Sequence, residues 1–475
     1  MKISVHKWLK GFPPPGIIRA LPCNLRFHLS FNFPMKTLLP ALGLLLAAGL
    51  GARAAVPPAP APSAVSGIKN VFNVRDSGAK GDGTTKDTAA LQKALDACAA
   101  AGGGVVLVPA GHYLTGSLVL GVNTTLQLDP AATITGSPDA ADYPIEPGRF
   151  EGEFTPVHRA LISAHKADHV AITGAGTLVG PPVAVASLRK PRGPVMIELT
   201  ECNGARLEDF TVRYQRLWSV HPLLCKDVVI RHLTIRSSLT NGDGIDVDSC
   251  SGVLIEQCDI EGGDDAISLK SGRGLAAMKM DRPTENVVIR DCQLASSNFA
   301  AIGFGTEMSG GIRHVQVLNC TLSGKQNGIY IKSRDGRGGY MEDITGDNLT
   351  VTNAPTFIGF DLATKGIQAV DPVPGDVEKW AHVAGLKFTN IKVSNVTDLI
   401  VAGGGRVTPA MAIPPVRPIE GLVLANITGT CRRGITLANV VHADFSGIRV
   451  TGFTGALLNL TNVTGTGLDA AAAAR

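Results

Sequence analysis

The chain has 475 residues, of which 55 are glycine, 5% are aromatic and 18% are charged. This mixture is typical of many short strands joined by tight turns and argues against a helical bundle. The net charge of +4 comes from the N-terminus, because residues 1–54 hold seven of the 44 basic residues and no acidic residue. The rest of the chain carries 37 basic against 40 acidic residues, which gives no reason to expect a nucleic-acid partner.

Residues 35–54 have the three parts of a secretory signal peptide. Lys36 precedes an apolar run over residues 38–50, and an Ala-x-Ala cleavage signal ends at Ala54. A membrane-spanning helix is the alternative, but the run is shorter than the roughly 20 residues that a span needs. We therefore expect a secreted or periplasmic protein with no membrane segment once the signal is removed.

The first strongly helical stretch follows Asp87, which we predict to cap it. A glycine run over residues 102–104 ends the pattern, and a β run follows. The apolar stripe of this predicted capping helix consists of Ala90, Leu91, Ala94, Leu95 and Cys98.

From about residue 205 onwards a short apolar–polar phrase recurs at intervals of 23, 25, 34 and 28 residues. Irregular spacing with a constant core is typical of solenoid coils with insertions in their turns. We therefore predict an all-β, right-handed parallel β-helix in which each phrase is one strand. A β-sandwich is the alternative, but it would need hairpins at shorter, more regular intervals. The copies are LEDFTV (207–212), IRHLTI (230–235), IEQCDI (255–260), IRDCQL (289–294) and VLNCTL (317–322).

Five cysteines fall in or near these repeats. Cys258, Cys292 and Cys320 hold equivalent positions in their phrases, so we expect stacked core thiols. The spacing of Cys225 and Cys250 leaves open whether they form a disulfide.

The predicted organisation has five parts along the chain. They are an upstream extension (1–34), the signal peptide (35–54), a linker (55–69), one β-helix domain with its N-terminal capping helix (70–465) and an Ala-rich tail (466–475).

Three aspartates are the strongest candidates for chemistry. Asp264 and Asp265 are adjacent in the phrase EGGDDAISLKSG, and Asp243 precedes Asp264 by 21 residues, close to one coil. Stacking therefore predicts that the three carboxylates meet on one face. We expect Gly262 and Gly263 to bend the chain so that the adjacent pair faces solvent.

Clustered carboxylates repel, so at least one of them is expected to hold a proton near neutral pH. A proton-donating acid and a base that activates water are what glycoside hydrolysis requires. If acid and base lie roughly 6.5–9.5 Å apart, water fits between them and the anomeric centre inverts. The alternatives are a calcium site, because oxygen-rich clusters suit that ion, and an Asn/Asp ladder that stabilises turns.

Four phrases in this order resemble glycoside hydrolase family 28, the polygalacturonases and their relatives: NGDGIDVDSC, GGDDAISLKSG, GFGTEMSGG and GIYIKSRDGRGG. The phrases FNVRDSGAKGDGTTKDT and LWSVHP also match that family. The resemblance covers residues 70–460 approximately. It implies a right-handed parallel β-helix and inverting hydrolysis of galacturonic-acid linkages in pectin, with no metal or other cofactor.

The resemblance also implies roles for single residues. Asp264 would be the general acid, and Asp243 and Asp265 would hold and deprotonate the attacking water. Lys332 takes the position of the lysine in the family's R-I-K motif, which pairs with the uronate carboxylate. A carboxylated sugar needs such a cation on chemical grounds too; a solvated surface lysine is the alternative.

The chain departs from the family pattern at two positions. Phe299 replaces the histidine of the G-H-G motif, and Tyr330 replaces the arginine of R-I-K. The aromatic ring of Tyr330 offers stacking on a sugar in place of a second cation. Whether the substrate is homogalacturonan or a rhamnogalacturonan-type pectin stays open.

Other residues are candidates for substrate binding by position alone, against the alternative of solvated arginines and a packed tryptophan. We expect Glu307 to serve turns and packing, with a third catalytic acid as the alternative. The candidates are Asn241, His221, Trp218, Arg273, Arg334 and Arg337.

The leading hypothesis is thus a monomeric hydrolase of pectic polysaccharide or oligosaccharide. A pectate-lyase-like enzyme is the second hypothesis; it would cleave by β-elimination and need calcium and an arginine base. The third is a carbohydrate-binding β-helix without activity, which the loss of the family's histidine and arginine keeps open.

Overall fold

The computed structural model describes residues 70–474 except 238, 364–374, 376–377 and 405–406. The described residues belong to one compact unit. The extension, signal peptide and linker predicted for residues 1–69 lie outside the described residues.

Short strands build most of the described chain. The first half of the strands, in chain order, is Val71–Asn73 (β1), Asp82–Lys86 (β2), Gly104–Val108 (β3), Gly111–Thr115 (β4), Leu118–Val119 (β5), Thr124–Leu128 (β6), Ala132–Gly136 (β7), Ile145–Phe150 (β8), Glu153–His158 (β9), Ile162–His165 (β10), Ala171–Thr173 (β11), Thr177–Val179 (β12), Ile197–Thr200 (β13), Arg206–Glu208 (β14), Thr211–Arg213 (β15), Val220–Leu223 (β16) and Lys226–Arg231 (β17). The second half is Thr234–Arg236 (β18), Ile245–Asp248 (β19), Ser251–Glu256 (β20), Asp259–Gly262 (β21), Ile267–Lys270 (β22), Thr284–Arg290 (β23), Gln293–Ser296 (β24), Ala300–Phe304 (β25), Ile312–Leu318 (β26), Thr321–Gly324 (β27), Asn327–Lys332 (β28), Tyr340–Asp347 (β29), Thr350–Thr352 (β30), Thr356–Asp361 (β31), His382–Ala402 (β32), Ile419–Thr451 (β33) and Leu458–Thr466 (β34).

Helices are few and short. They are Thr88–Ala100 (α1), Val183–Ala186 (α2), Gly274–Met280 (α3), Pro409–Ala412 (α4), Ala470–Ala473 (α5) and one 3₁₀ turn at Ala140–Asp142. None of the helices in the described ranges has the length and apolar character that crossing a membrane requires.

Each coil contributes strands to three parallel sheets, which confirms the predicted right-handed parallel β-helix. Sheet I contains β17, β20, β23 and β26, and sheet II contains β18, β21, β24 and β27. Sheet III contains β13, β16, β19, β22, β25, β28 and β31. Strands β8 and β9 form a separate antiparallel hairpin.

Aliphatic columns hold the coils together. In sheet III, Ile245, Ile267, Ile302, Ile329 and Ile358 lie in register on successive strands and are fully buried. Each such side chain contributes about 1.5–3 kcal/mol through burial. Because side chains alternate along a strand, the residues on either side of each isoleucine point away from the core and are available to form a site.

The recurring phrase is not one strand, contrary to the prediction. It spans the corner between sheets I and II, where one residue takes positive φ, such as Asp291 (φ 56°) and Asn319 (φ 55°). Asn and Asp tolerate this conformation better than most residues. The corner residues also form a ladder, with Asn319 donating to Asp291 at 3.0 Å and Asn348 donating to Asn319 at 2.9 Å. The Asn/Asp ladder considered for the three aspartates therefore lies at a different turn.

Helix α1 has the predicted buried stripe, including Leu91, Leu95 and Cys98. Asp87 occupies the N-cap position but its carboxylate does not cap the helix. It accepts hydrogen bonds from the backbone N–H groups of Lys80 (2.6 Å) and Gly81 (2.8 Å) instead. The preceding turn offers two donors to the same carboxylate, so it competes successfully with the helix end.

The eight cysteines of the described chain are buried free thiols. Cys225 and Cys250 stack without forming a disulfide. The Cys225 N–H donates a hydrogen bond to Cys250 Sγ at 3.3 Å. The Cys258 N–H donates to Cys292 Sγ in the same way at 3.5 Å. The Ala-rich end forms α5, which buries Ala473 against the core.

Candidate active site

The three predicted aspartates meet beside sheet III. Asp243 lies just before β19, and Asp264 and Asp265 lie in the turn before β22, one coil further on. One carboxylate oxygen from each residue lies within 4.8 Å of those of the other two. The spacing of one coil in the sequence therefore predicts this meeting correctly.

The adjacent pair does not face solvent as expected. Asp264 is half-buried, whereas Asp265 is 2% exposed and accepts a hydrogen bond from the Ala300 N–H at 3.2 Å. Gly263 serves close approach, because a Cβ at this position would collide with the backbone of Leu239. Gly303 leaves room for the Asp265 carboxylate in the same way.

Burial and mutual repulsion perturb two of the three carboxylates. Burial raises the pKa of Asp264 to about 6, and the charge of Asp265 adds to this effect. Burial, followed by the charges of Asp246 and Asp264, raises the pKa of Asp243 well above its usual value. The aspartate cluster therefore retains a proton in the pH range where an isolated carboxyl group is already ionised.

Lys332 contacts the cluster directly. Its Nζ lies 2.7 Å from Asp265 Oδ2, and its side chain is only 15% exposed. Although burial opposes the charge, Asp265 and Asp264 raise the pKa of Lys332. The ammonium also lies 5.3 Å from the ring centroid of Tyr330 and 5.7 Å from that of Phe299. The two aromatic residues that depart from the family pattern thus both contact this one cation.

A second lysine, which the sequence analysis did not single out, lies behind the aspartates. Lys270 Nζ is 3.1 Å from Asp246, 3.9 Å from Asp243 and 3.9 Å from Glu307. Despite burial, these three carboxylates raise the pKa of Lys270 well above its usual value. The nitrogen also lies 4.2 Å from the ring centroid of Trp218. Glu307, for which we predict a role in turns and packing, is buried and ion-paired with Lys270.

The sequence predicts that His221 binds substrate, but its side chain has no exposed surface. Its Nδ1 lies 3.1 Å from Glu198 and its Nε2 lies 3.8 Å from Asp248. Burial lowers the pKa of His221, but the two carboxylates outweigh burial and raise it to about 9. Trp218 is 4% exposed and stacks on Phe150, so it too is a buried support.

The buried residues Lys270, Asp246, His221 and Asp248 form a charge layer. The antiparallel hairpin β8–β9 contacts this charge layer. Arg149 pairs with Asp248 at 3.2 Å, with both side chains almost fully buried. Arg273, a predicted binding residue, is buried and pairs with Glu153 of the hairpin at 2.5 Å. The hairpin residues lie about a hundred positions earlier in the chain, and no motif signals this contact.

The remaining candidates have different environments. Asn241 is half-buried beside the aspartates and accepts a hydrogen bond from Arg192 Nη2 at 3.3 Å. Arg334 is half-buried in the turn after β28, where its Nε has no hydrogen-bond partner among the described residues. Arg337 is only 1% exposed. Although burial raises the pKa of Glu307, the charges of Lys270 and then Arg337 lower it.

The short separation of the carboxylates bears on two predictions. Closest oxygens within 4.8 Å lie below the roughly 6.5–9.5 Å that separates the carboxyl groups of most inverting glycosidases. The distance therefore does not argue for inversion, which rests on the family resemblance alone. Three convergent carboxylates also have the chemistry of a cation site, so the calcium alternative needs an experiment.

The sequence matches the model of Glycosyl hydrolases family 28 over residues 98–365. It is also 32% identical to a probable polygalacturonase of Vitis vinifera over 381 residues, which is 73% of this chain and 77% of that protein. The chain belongs to glycosyl hydrolase family 28. This family 28 protein is therefore a glycoside hydrolase.

Two further similarities agree with this assignment. An exopolygalacturonase of Platanus acerifolia is 27% identical, covering 68% of this family 28 chain and 82% of its own length. The solved structure of an exopolygalacturonase from Thermotoga maritima superposes with a TM-score of 0.64 at 23% identity, covering 83% of this chain and 92% of that one. At this identity the structural match supports the fold alone.

Proposed function

We propose that the protein hydrolyses linkages of galacturonic acid in pectic polysaccharide or oligosaccharide, with inversion at the anomeric centre. The observation that carries the proposal is the meeting of a carboxyl of raised pKa, Asp264, with a second carboxylate, Asp265, that is paired to Lys332. Acid, base and a cation for a uronate are thus present within one site. The names of the curated relatives, polygalacturonase and exopolygalacturonase, support the same substrate class.

Asp264 is the proposed general acid. Its pKa of about 6 keeps it protonated in mildly acidic solution, and it is more exposed than Asp243 or Asp265. It donates its proton to the glycosidic oxygen as the bond from that oxygen to the anomeric carbon breaks. Because the pKa of Asp243 is also raised, the two residues are expected to share one proton near neutral pH.

Asp243 and Asp265 are the proposed water-binding carboxylates. A water molecule held by them attacks the anomeric carbon and transfers its proton to one of the two. The products are two saturated fragments, one with a new reducing end. Lys332 places a uronate carboxylate next to these groups by charge-assisted hydrogen bonding.

A cavity of about 300 Å³ continues from the site toward the C-terminal coils. Tyr330 and Phe360 line it on sheet III, and Lys325 and Arg433 lie at its walls. A ring and a cation in one cavity suit a sugar that carries a carboxylate. We propose that the polymer extends into this cavity beyond the uronate bound by Lys332.

The signal-peptide pattern supports export, so we propose that the enzyme acts outside the cytoplasm. We also propose that it is a monomer.

The catalytic proposal is tested with purified residues 55–475 on homogalacturonan and rhamnogalacturonan oligomers, with EDTA present. Saturated products with new reducing ends are expected, and the first-formed anomer, observed by proton NMR, is expected to be inverted. Unsaturated products that disappear with EDTA would instead identify a calcium-dependent lyase, and tight binding without products would identify a binding protein.

A further inference from the structure

A buried lysine lies behind the three aspartates and is shielded from solvent. Lys270 ends β22 and is 6% exposed. Its Nζ lies 4.2 Å from the ring centroid of Trp218, which is itself 4% exposed, so the indole covers one side of the ammonium. A substrate has little access to this cation. Its effect on the reaction is therefore exerted through the residues that it contacts.

The contacts of Lys270 differ from those that its strand register alone suggests. Its backbone is in register with Asp248 on the neighbouring strand β19. Arg149, however, pairs with Asp248 at 3.2 Å. Lys270 Nζ lies 3.1 Å from Asp246 Oδ1 and 3.9 Å from Asp243 Oδ2. There are thus two ion pairs side by side, and the one that contains Lys270 reaches the proposed water-binding carboxylate.

The two aspartates need this cation because both are buried. Burial raises the pKa of Asp246, whereas the charges of Lys270 and then His221 lower it. Burial, Asp246 and Asp264 raise the pKa of Asp243, and Lys270 opposes them. A buried carboxylate without a nearby cation takes up a proton or moves to a more polar position. Loss of Lys270 would therefore leave two carboxylates to repel each other beside the site.

The ammonium is held from several directions. Besides the two aspartates, Glu307 Oε2 lies 3.9 Å from Lys270 Nζ, and it belongs to the turn after β25, one coil further on. Partners on two neighbouring coils and an aromatic ring restrict the lysine side chain before a substrate arrives. A group held in this way can in turn hold its neighbours in a fixed geometry.

We propose that Lys270 is a positioning residue of the reaction, which holds the Asp243 carboxylate in the place where it binds the attacking water. The inference rests on the proposed function, in which Asp243 and Asp265 hold that water. Lys332 pairs with Asp265 at 2.7 Å. Each water-binding carboxylate thus has its own lysine, one that is partly exposed in the site and one that is buried behind it.

The kinetic test compares Lys270→Met with Lys226→Met, which removes an exposed lysine at the start of β17. The kcat and KM of each are measured on trigalacturonate. Because a misplacement of about 1 Å can cost about a hundredfold in rate, Lys270→Met is expected to lower kcat by about that factor. KM should stay close to the wild-type value, since the ammonium is shielded from the substrate, and Lys226→Met should match the wild type in both. A wild-type kcat in folded Lys270→Met overturns the inference, and so does a loss that lies wholly in KM.

Two further variants distinguish the charge of Lys270 from its packing. Lys270→Arg retains the charge, and its kcat is expected to lie closer to the wild type than to Lys270→Met. Should Lys270→Met fail to fold, adding Asp246→Asn removes both charges of the pair, which a protein tolerates better than the loss of one partner. The kcat of this double variant is expected to stay low, because Asp243 still lacks its cation. A wild-type kcat in the double variant overturns the inference.

Crystal structures separate this inference from the proposed function. In the wild type we expect a water molecule between Asp243 and Asp265. In Lys270→Met, or in the double variant, we expect the Asp243 carboxylate to turn away and the water to be displaced. Unchanged positions of both overturn the inference, whatever the rates. If the wild type hydrolyses no galacturonide, the proposed function fails, while a displaced Asp243 carboxylate in the variant still supports the positioning role of Lys270.

Discussion

Lys332 Nζ lies 2.7 Å from Asp265 Oδ2, so the proposed uronate-binding cation is ion-paired to one of the proposed water-binding carboxylates. In the proposed mechanism, substrate binding and water activation are therefore coupled through one pair. In this mechanism, a uronate that approaches Lys332 competes with Asp265 for its positive charge. The pair thus links, in the proposed mechanism, the arrival of a charged sugar to a carboxylate that holds the attacking water.

Lys332→Met is expected to lower kcat/KM on oligogalacturonides by about a hundredfold or more. Truncating one member of a buried charge pair costs about 2–5 kcal/mol and leaves the other charge unpaired. Lys392→Met removes an exposed lysine on β32 and provides the control. Steady-state kinetics at low substrate concentration gives the ratio directly. Equal activity in the two variants would show that Lys332 has no part in binding or catalysis.

Asp264→Asn is expected to reduce hydrolysis by about 10²–10⁴-fold, because asparagine cannot supply the proton that the leaving oxygen requires. Oligogalacturonide binding should persist, which calorimetry checks. The control is Glu261→Gln, which neutralises an exposed carboxylate three residues earlier. If Asp264→Asn keeps its rate, the general acid is a different residue. If the wild type binds but has no rate to lose, the protein is a carbohydrate-binding β-helix.

The buried carboxyl group of Asp264 is expected to reduce the free energy of unfolding at neutral pH. The pKa of Asp264 is about 6 in the folded protein and near 3.8 in an unfolded chain. A raised carboxyl pKa contributes stability that is fully present below pH 3.8 and is lost as the pH rises through 6. Asp264→Asn should therefore gain thermal stability relative to the wild type as the pH increases from 4 to 7. Melting curves across this range test it, and a constant difference between the two proteins would contradict the raised pKa.

The sequence predicts the fold because the buried isoleucine columns recur once per coil and leave their pattern in the chain. It predicts the aspartate cluster because Asp243 and Asp264 are separated by about one coil. The prediction of one strand at the corner between sheets I and II is wrong, because the turn residue lies inside a phrase whose apolar positions continue on both sides. Spacing alone does not distinguish a strand from two strands joined by one residue of positive φ.

Contacts between residues that are brought together by an insertion are harder to predict from the sequence than contacts between successive coils. Arg149 reaches Asp248 from a hairpin 99 residues earlier, and the length of an insertion does not reveal where it folds back. Lys270 carried a readable signal. In the phrases IDVD and ISLK, on neighbouring strands, polar residues alternate with apolar ones, so Asp246 and Lys270 share the outer face of sheet III. Aligning the two coils by their isoleucines places Lys270 opposite Asp248, with Asp246 two residues away on the same face.

His221 provides a prediction with a different pH range. Its pKa is raised to about 9 from an ordinary value of 6.5 because two buried carboxylates outweigh the effect of burial. The stabilisation by charged His221 is fully present below pH 6.5 and is lost as the pH rises through 9. His221→Gln should thus lose stability relative to the wild type at pH 6, and the difference should shrink toward pH 10. His232→Gln, at an exposed corner, is the control; if both variants show the same dependence on pH, the buried imidazolium is not its source.

Arg149→Met is expected to lower the free energy of unfolding by about 3–5 kcal/mol, the usual cost of leaving one member of a buried ion pair without its partner. The side chains of Arg149 and Asp248 are 2% and 1% exposed, so water cannot replace the missing charge. Arg159→Met is a matched control from the same part of the chain. Its pair with Glu146 is 30% exposed on both sides, and such pairs contribute at most about 1 kcal/mol. Urea unfolding of the two variants measures the difference. A similar small loss in both would show that Asp248 is adequately held by His221 and Ser249, and that the hairpin adds little to the support of the charge layer beneath the aspartates.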